Sequence, residues 1–375
     1  MLDIARLILA LFCLAISLTA LIKAPNLLTW MLSLGATEYG HWFALAALAV
    51  AVPFGLQPMS LVATGLGLVA AGVFLSTLGR AFPFGAQLHG RLQAAFGEVP
   101  SLGQPFSWKK LFFGTAGERR PSETLIYSQG GDYSLRMNFF RSVRPDPSPC
   151  VIVLHTGGWN SGTPDEFFAF NSHLANRGYA VAALQYRLSP TWTWPAQLED
   201  VKQALSFLKQ RRAELGVDPT KFVLLGRSAG GHIAETAAYS LTEHEIRGCI
   251  AFYAPADMHY AYRFGREDDM LKSLQVVRDF LGGSPAERPD QYDSASAIRF
   301  VHSSTPPTLL FHGTPDPLVW HLQSRRLNDE LAKAGVPHLL IEPPWATHAF
   351  DYNFNGPGGQ LSTYAVDYFL SSVTR

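Results

Sequence analysis

The rhythm of apolar positions changes along the chain, and the change divides it in two. Residues 7–22 form an uncharged apolar run bounded by Arg6 and Lys23, and residues 39–79 carry no formal charge at all. Unbroken apolarity on that scale approaches or exceeds the ~20 residues that cross a hydrocarbon core. Pro53 and Pro58, flanking Phe54-Gly55-Leu56-Gln57, predict a turn that divides the second stretch. Three helices are therefore expected, near 5–23, 40–57 and 59–79. The first also fits a cleaved signal sequence, with Arg6 ahead of it and Thr19-Ala20 at its end. Trp30, Tyr39 and Trp42 fall where interfacial aromatics belong.

Beyond residue 121 the runs become short and alternate with a helical period. Two segments, 125–128 and 135–141, joined by Gln129-Gly130-Gly131-Asp132, predict an antiparallel hairpin. Short buried strands follow at 150–154, 179–185, 221–225, 248–253, 307–311 and 338–341. Between them Leu198, Val201, Leu205 and Leu208 repeat at helical spacing after Pro195, as do Ile233, Ala237 and Leu241. Leu361, Tyr364, Ala365, Tyr368 and Phe369 make a last amphipathic helix. Strands and helices in alternation predict an α/β domain, a mostly parallel sheet covered by helices on both faces.

Charge sharpens this division. Only Asp3, Arg6, Lys23, Glu38 and Arg80 are charged in the first eighty residues, out of thirty basic and thirty acidic side chains in the whole chain. Three units are expected: a transmembrane region over 1–80, a juxtamembrane linker over 81–120 and a catalytic domain over 121–375. Membrane lipid is then one partner. In the linker, Trp108, Phe112 and Phe113 suit a segment at the headgroup level or an ordinary loop. Arg80, Arg91, Lys109 and Lys110 favour the cytoplasmic side for a multi-pass protein, against the pull of Arg6. Balanced charge leaves no basic excess for nucleic acid, and Cys13, Cys150 and Cys249 lack metal-ligand spacing.

The third long strand runs into Gly226-Arg227-Ser228-Ala229-Gly230-Gly231 and then directly into the Ile233 helix. G-x-S-x-G at a strand-to-helix junction is the nucleophile-elbow pattern, in which a tight turn lifts the serine hydroxyl above the sheet at a helix N-terminus. A serine nucleophile needs a base oriented by a carboxylate. In the order Ser, Asp, His, the acid falls at Asp316, in His312-Gly313-Thr314-Pro315-Asp316 after the strand at 307–311. The base falls at His348, after the strand at 338–341. Asp351 and Glu342 stay open as alternative acids, and His312 and His302 as loop histidines. An oxyanion hole is expected from the amides of Gly157, Gly158 and Ala229, since His155-Thr156-Gly157-Gly158-Trp159 follows the strand at 150–154. Trp159, Trp192 and Trp194 are candidates for the wall of a substrate pocket. His232 reads as a packing residue, and 257–302 as a solvated helical excursion or part of a cap.

Taken together, HTGGW, Tyr186-Arg187-Leu188-Ser189-Pro190, Pro195-Ala196-Gln197-Leu198-Glu199-Asp200, GRSAGG, HGTPD and THAF resemble the α/β-hydrolase superfamily. The similarity is to the hormone-sensitive-lipase-like carboxylesterases and their prenylcysteine-methylesterase and kynurenine-formamidase relatives, over roughly 121–375. The resemblance implies Ser228 as nucleophile, His348 as base, Asp316 as orienting acid and Gly157, Gly158 and Ala229 as oxyanion donors, with no metal or cofactor. Thr156 departs from the usual HGGG. The expected activity is hydrolysis of lipophilic carboxylic esters through an acyl-enzyme. The alternatives are acyl transfer to a lipid or sugar, or an idle scaffold that binds a hydrophobic ligand.

Overall fold

A computed structural model describes residues 2–53, 57–114, 119–144, 147–241 and 243–375. Eight strands form one sheet: β1 (Glu123–Gln129), β2 (Ser134–Phe140), β3 (Ser148–Leu154), β4 (Ala180–Leu184), β5 (Val217–Arg227), β6 (Ile246–Phe252), β7 (Thr308–Phe311) and β8 (His338–Ile341). Their spatial order is β1-β2-β4-β3-β5-β6-β7-β8. β2 runs antiparallel to both β1 and β4, and every other pairing is parallel. The hairpin and all six short apolar runs thus become strands, and the C-terminal ends of the six parallel strands β3 to β8 share one edge.

Two hydrophobic layers cover the sheet because successive side chains of a strand point to opposite faces. Cys150, Ile152 and Leu154 of β3 join Val201, Leu205, Ile233 and Ala237 on one side. Val151 and Val153 join Leu361, Ala365 and Phe369 of the helix Pro357–Val373 on the other. The apolar stripes read from the sequence therefore bury against opposite faces.

The N-terminal region departs from expectation. Its described residues hold four helices, Leu2–Leu18, Leu27–Glu38, Gly40–Ala51 and Pro58–Phe96. Among the described residues only Pro58–Phe96, at 39 residues, is long and apolar enough to cross a membrane. The first helix stops at 17 residues and the third at 12; the three expected crossings reduce to one candidate. Residues 54–56 of the expected turn lie outside the described residues.

The linker expected from residue 81 is also replaced, because the last of these helices continues through Pro83 to Phe96. Its second half is no tether: Ala81, Leu88 and Leu92 are buried in the same layer as Leu361 and Phe369. Arg91 donates to the main-chain oxygen of Leu340 at 2.9 Å. That contact with β8 removes Arg91 from the basic cluster on which the cytoplasmic orientation rested.

Apolar side chains cover the outside of this helical region. Ile8, Phe12, Leu28, Val62 and Val69 are each more than half exposed, whereas soluble proteins rarely show contiguous apolar patches of more than a few hundred Å². Arg6 turns inward instead of flanking a span. It is buried and donates to the Val50 oxygen, to Ser60 Oγ at 2.7 Å and to Thr64 Oγ1 at 3.2 Å, tying the first helix to the third and fourth. Trp108 and Phe112 do not stand free either. Trp108 lies 4.8 Å from Phe82, and Phe112 lies 5.7 Å from Trp42, measured between ring centroids.

If the Pro58–Phe96 helix is part of the hydrolase core, truncating a buried side chain in its second half should weaken the whole domain. Leu88→Ala is expected to cost about 3 kcal/mol, the range for leucine truncation in a packed core. Denaturant unfolding of the domain in detergent measures it, and a change below about 0.5 kcal/mol would show that the helix only leans on the sheet.

Candidate active site

β5 delivers Ser228 to the C-terminal edge of the sheet in a conformation that few residues other than glycine adopt. Its φ and ψ are 53° and −120°. The turn is held by Ser228 N–H donating to the Phe252 oxygen at 2.8 Å, and by His232 N–H donating to the Ser228 oxygen at 3.0 Å. Glycine at 226 is obligatory, since a Cβ there would stand 2.1 Å from the Gly230 oxygen. The chain then enters the helix Ala229–Ser240, so the Ala229 amide sits at its positive end.

The same helix start touches the end of β3. A Cβ on Gly230 would lie 2.3 Å from the Leu154 oxygen and 2.4 Å from that of His155, so the elbow and the glycine loop are in backbone contact. In that loop Gly157 has φ 109°, with Ser161 N–H closing the turn onto its carbonyl at 3.0 Å. Thr156, where the family motif has glycine, is held by a residue the sequence reading passed over. Glu166 Oε2 accepts from Thr156 N–H at 3.1 Å and from its hydroxyl at 2.8 Å. The threonine side chain is thereby turned to Glu166. A carboxylate ten residues beyond a polar substitution in a glycine loop was the available signal.

His348 and Asp316 meet. His348 Nδ1–H donates to Asp316 Oδ2 at 2.7 Å. Asp316 Oδ1 accepts from the amides of Leu318 and Val319 at 2.8 and 3.0 Å. His312, fully buried, braces this loop: its Nε2 lies 3.0 Å from the Val319 oxygen and 3.4 Å from Asp316 Oδ2, and its Nδ1 lies 2.7 Å from Ser324 Oγ. Burial alone would push the Asp316 carboxyl up. The charge of His348 and hydrogen bonds from His312 and His348 outweigh it and hold the group well below the usual carboxylate range. Asp316 is therefore an anion.

The other candidates have different partners. Asp351 accepts from Arg227 Nε at 2.6 Å and from the Tyr253 hydroxyl at 2.7 Å, inside the protein. The Arg227 guanidinium also lies 3.9 Å from the Phe167 ring centroid. Glu342 pairs with Arg325 at 2.7 Å, and His302 caps its own turn through Ser304 N–H and Thr305. His232 is buried. Desolvation lowers its pKa to about 4, partly offset by its hydrogen bond to the Ala295 oxygen, while Trp159 Nε1–H donates to its Nδ1 at 3.2 Å. It is a neutral packing residue.

Above Ser228 lies a cleft of about 280 Å³. Helices Met258–Phe264 and Ser273–Leu281, within the excursion between β6 and β7, supply Tyr260, Phe264 and Val276 to its wall and so act as a cap. Leu318 and Trp320 come from the acid loop, and Lys23 reaches the same cleft from the N-terminal region. Of the three expected tryptophans, only Trp159 lines it. Trp192 packs on Tyr133 and Arg187. Trp194 is buried behind the cap, its indole donating to Ser294 Oγ at 3.0 Å and its ring 5.8 Å from Phe280. Both precede the helix Ala196–Gln210: Trp194 faces Phe280 of the cap, and Trp192 packs on Arg187, which pairs with Asp200 of that helix.

An eight-stranded, mostly parallel sheet with a serine elbow on its fifth strand defines an α/β-hydrolase. Within that class, residues 139–331 match the BD-FAE family, and the chain belongs to it. Esterase LipQ of Mycobacterium tuberculosis is 30% identical over 239 residues, covering 60% of this chain and 56% of LipQ. Isoprenylcysteine alpha-carbonyl methylesterase ICME of Arabidopsis thaliana is 26% identical over 231 residues, covering 57% and 53%. The chain thus spans little more than half the length of these curated relatives. Among solved structures, Bacterial Heroin Esterase superposes with a TM-score of 0.60 at 22% identity, over 69% of this chain and 86% of that one. The likeness read from the six motifs holds for the family and the fold.

Asp351 offers a test of how the site is supported. Asp351→Asn should leave the Arg227 cation buried without a counter-charge and destabilise the fold by about 3 kcal/mol or more. Urea unfolding of the variant measures this, and wild-type stability would mean that the surrounding aromatic rings suffice for Arg227.

Proposed function

We propose that the protein is a membrane-anchored serine carboxylesterase acting on lipophilic esters. The observation that carries this is the 2.7 Å contact between His348 and Asp316 on the edge of the sheet where the elbow presents Ser228. With Nδ1 committed to Asp316, Nε2 is the nitrogen free to take the Ser228 proton. The Ser228 oxygen then adds to the ester carbonyl, and the negative charge that develops on the carbonyl oxygen is met by the amides of Gly157, Gly158 and Ala229. Collapse of this adduct breaks the bond to the alkoxy group, which leaves with the proton returned by His348. A water deprotonated by the same nitrogen adds to the acyl-enzyme, and the acid departs as Ser228 recovers its proton. Asp316 stays ionised throughout and stabilises the imidazolium that forms.

Several features support a lipophilic substrate. The cleft wall is built largely of Trp159, Tyr260, Phe264, Val276 and Leu318, and the helical region beside it exposes leucine, isoleucine and phenylalanine to its surroundings. Burial in lipid would satisfy that surface, with the Pro58–Phe96 helix as the crossing element and the shorter helices packed around it.

Ser228→Ala and His348→Ala should each lower ester turnover by about 10⁴ or more with the fold retained, because the members of such a triad act as a unit. Asp316→Asn should lose somewhat less. A variant set in which Asp351→Asn, properly folded, lost turnover while Asp316→Asn kept it would move the acid to Asp351.

For substrate class, kcat/KM on p-nitrophenyl acetate, butyrate, hexanoate and laurate should rise from two carbons to about six, at up to ~0.8 kcal/mol per buried methylene, and then level off. A steady decline from acetate upward would leave an esterase without the lipophilic preference. The protein should also stay with membranes through a carbonate wash; release by carbonate would mean a peripheral attachment.

A further inference from the structure

Trp30 lies in the helical N-terminal region, 318 positions from the histidine it contacts. Its indole Nε1–H donates to the main-chain oxygen of His348 at 3.1 Å. That carbonyl belongs to the peptide joining His348 to Ala349, and Ala349 is held at φ 63°. An alanine in the left-handed region costs roughly 1 kcal/mol or more, which is relieved if the adjoining peptide rotates. Such a rotation would carry the Cα of His348 with it and loosen the contact of Nδ1 with Asp316. Asp316 holds the ring of His348; the indole holds its backbone.

The far end of the same helix, Leu27–Glu38, grips the segment a second time. Glu38 is fully buried, its Oε2 accepting from Gly358 N–H at 2.9 Å and its main-chain oxygen from Asn353 Nδ2 at 3.1 Å. The fit is built for this carboxyl, since a Cβ on Gly358 would stand 2.9 Å from Glu38 Oε1 and 2.6 Å from the Phe350 ring. One helix from outside the hydrolase sheet thus clamps the chain at 348 and again at 353 and 358.

We propose that Trp30 is a positioning residue for His348, so that the helical N-terminal region and the hydrolase domain form a single catalytic unit and the region is more than an anchor. The inference rests on the triad reading above. It assigns to Trp30 a role in the rate of serine activation and none in substrate binding, because the indole reaches the backbone of His348 and does not line the cleft.

The test uses the full chain in detergent micelles, with Trp30→Phe keeping a ring and removing the donor. With p-nitrophenyl butyrate, kcat should fall about 10-fold while KM stays within about 2-fold, the size expected when a catalytic group is displaced by a fraction of an ångström. The rate at which a fluorophosphonate labels Ser228 should fall in parallel. Adding Ala349→Gly to Trp30→Phe should recover about a third or more of the lost kcat, since glycine occupies φ 63° without strain. A purely structural role for Trp30 predicts no such recovery. Unchanged kcat in folded Trp30→Phe, absence of recovery in the double variant, or unfolding of both variants would each overturn the proposal. Wild-type protein that neither hydrolyses the ester nor takes the label would instead defeat the triad reading on which it rests.

Discussion

The backbone at Ser228 must reverse within one residue, and the approach distances around it leave no room for a side chain on either flank. A Cβ at 226 would meet the Gly230 oxygen, and one at 230 would meet the end of β3. Two consequences follow from this single crowding. The helix Ala229–Ser240 is forced to start against the His155–Gly158 loop, which brings the Ala229 amide and those of Gly157 and Gly158 to the same edge. Ser228 is also pinned beside the end of β6 by its hydrogen bond to Phe252. Since β7 and β8 are parallel neighbours beyond β6, the loops that follow them carry Asp316 and His348 to the same edge without long excursions.

Much of this was legible because the candidate site sits in short contiguous motifs at strand ends. The elbow, the glycine loop, Asp316 and His348 are each read from fewer than ten residues in a strand-then-turn context. The hairpin and six strands were read from runs too short for helices. What the sequence hid depends on contacts between distant segments. Nothing local to Trp30 or Glu38 indicates that they close onto 348 and 358. Nothing local to Asp351 indicates that it pairs with Arg227. Trp192 and Trp194 lie near a strand end in sequence, but their contacts with Tyr133 and Arg187, and with Ser294 and Phe280, hold them away from the cleft.

The expected boundary near residue 80 failed for a related reason. A drop in apolar density marks where the solvent around a helix changes, not where the helix ends. Pro58–Phe96 passes from an alanine- and leucine-rich half, packed against Gly40–Ala51, into a half carrying Arg80, His89 and Arg91 that lies on the hydrolase sheet. His89 Nδ1 sits 2.8 Å from the Tyr364 hydroxyl, so His89, like Arg91, bonds to the domain. One rigid element therefore belongs to both environments, and a composition profile divides what the backbone keeps whole.

Three buried carboxyl groups, Asp316, Asp351 and Glu38, sit in three different settings, and of these Asp316 is the one hydrogen-bonded to His348. Asp316 receives two backbone amides and two imidazoles, which hold it ionised against the cost of burial. Because its folded value is depressed, its stabilising contribution is present above the ordinary carboxyl range and is lost only as pH falls below that range. Asp351 is matched to Arg227 and Tyr253, so its oxygens already have donors. Glu38 is driven the other way: burial, and the nearby Asp351, push it well above the usual range against the hydrogen bonds from Gly358 and Gly359. It favours the fold in its neutral form, a contribution that fades as pH rises past the unfolded value. A neutral carboxyl stabilises an imidazolium far less than an anion does, and a carboxylate already paired with arginine has little of its field left to offer. Only Asp316 remains an anion that is in contact with the imidazole and braced on its other side by the protein backbone.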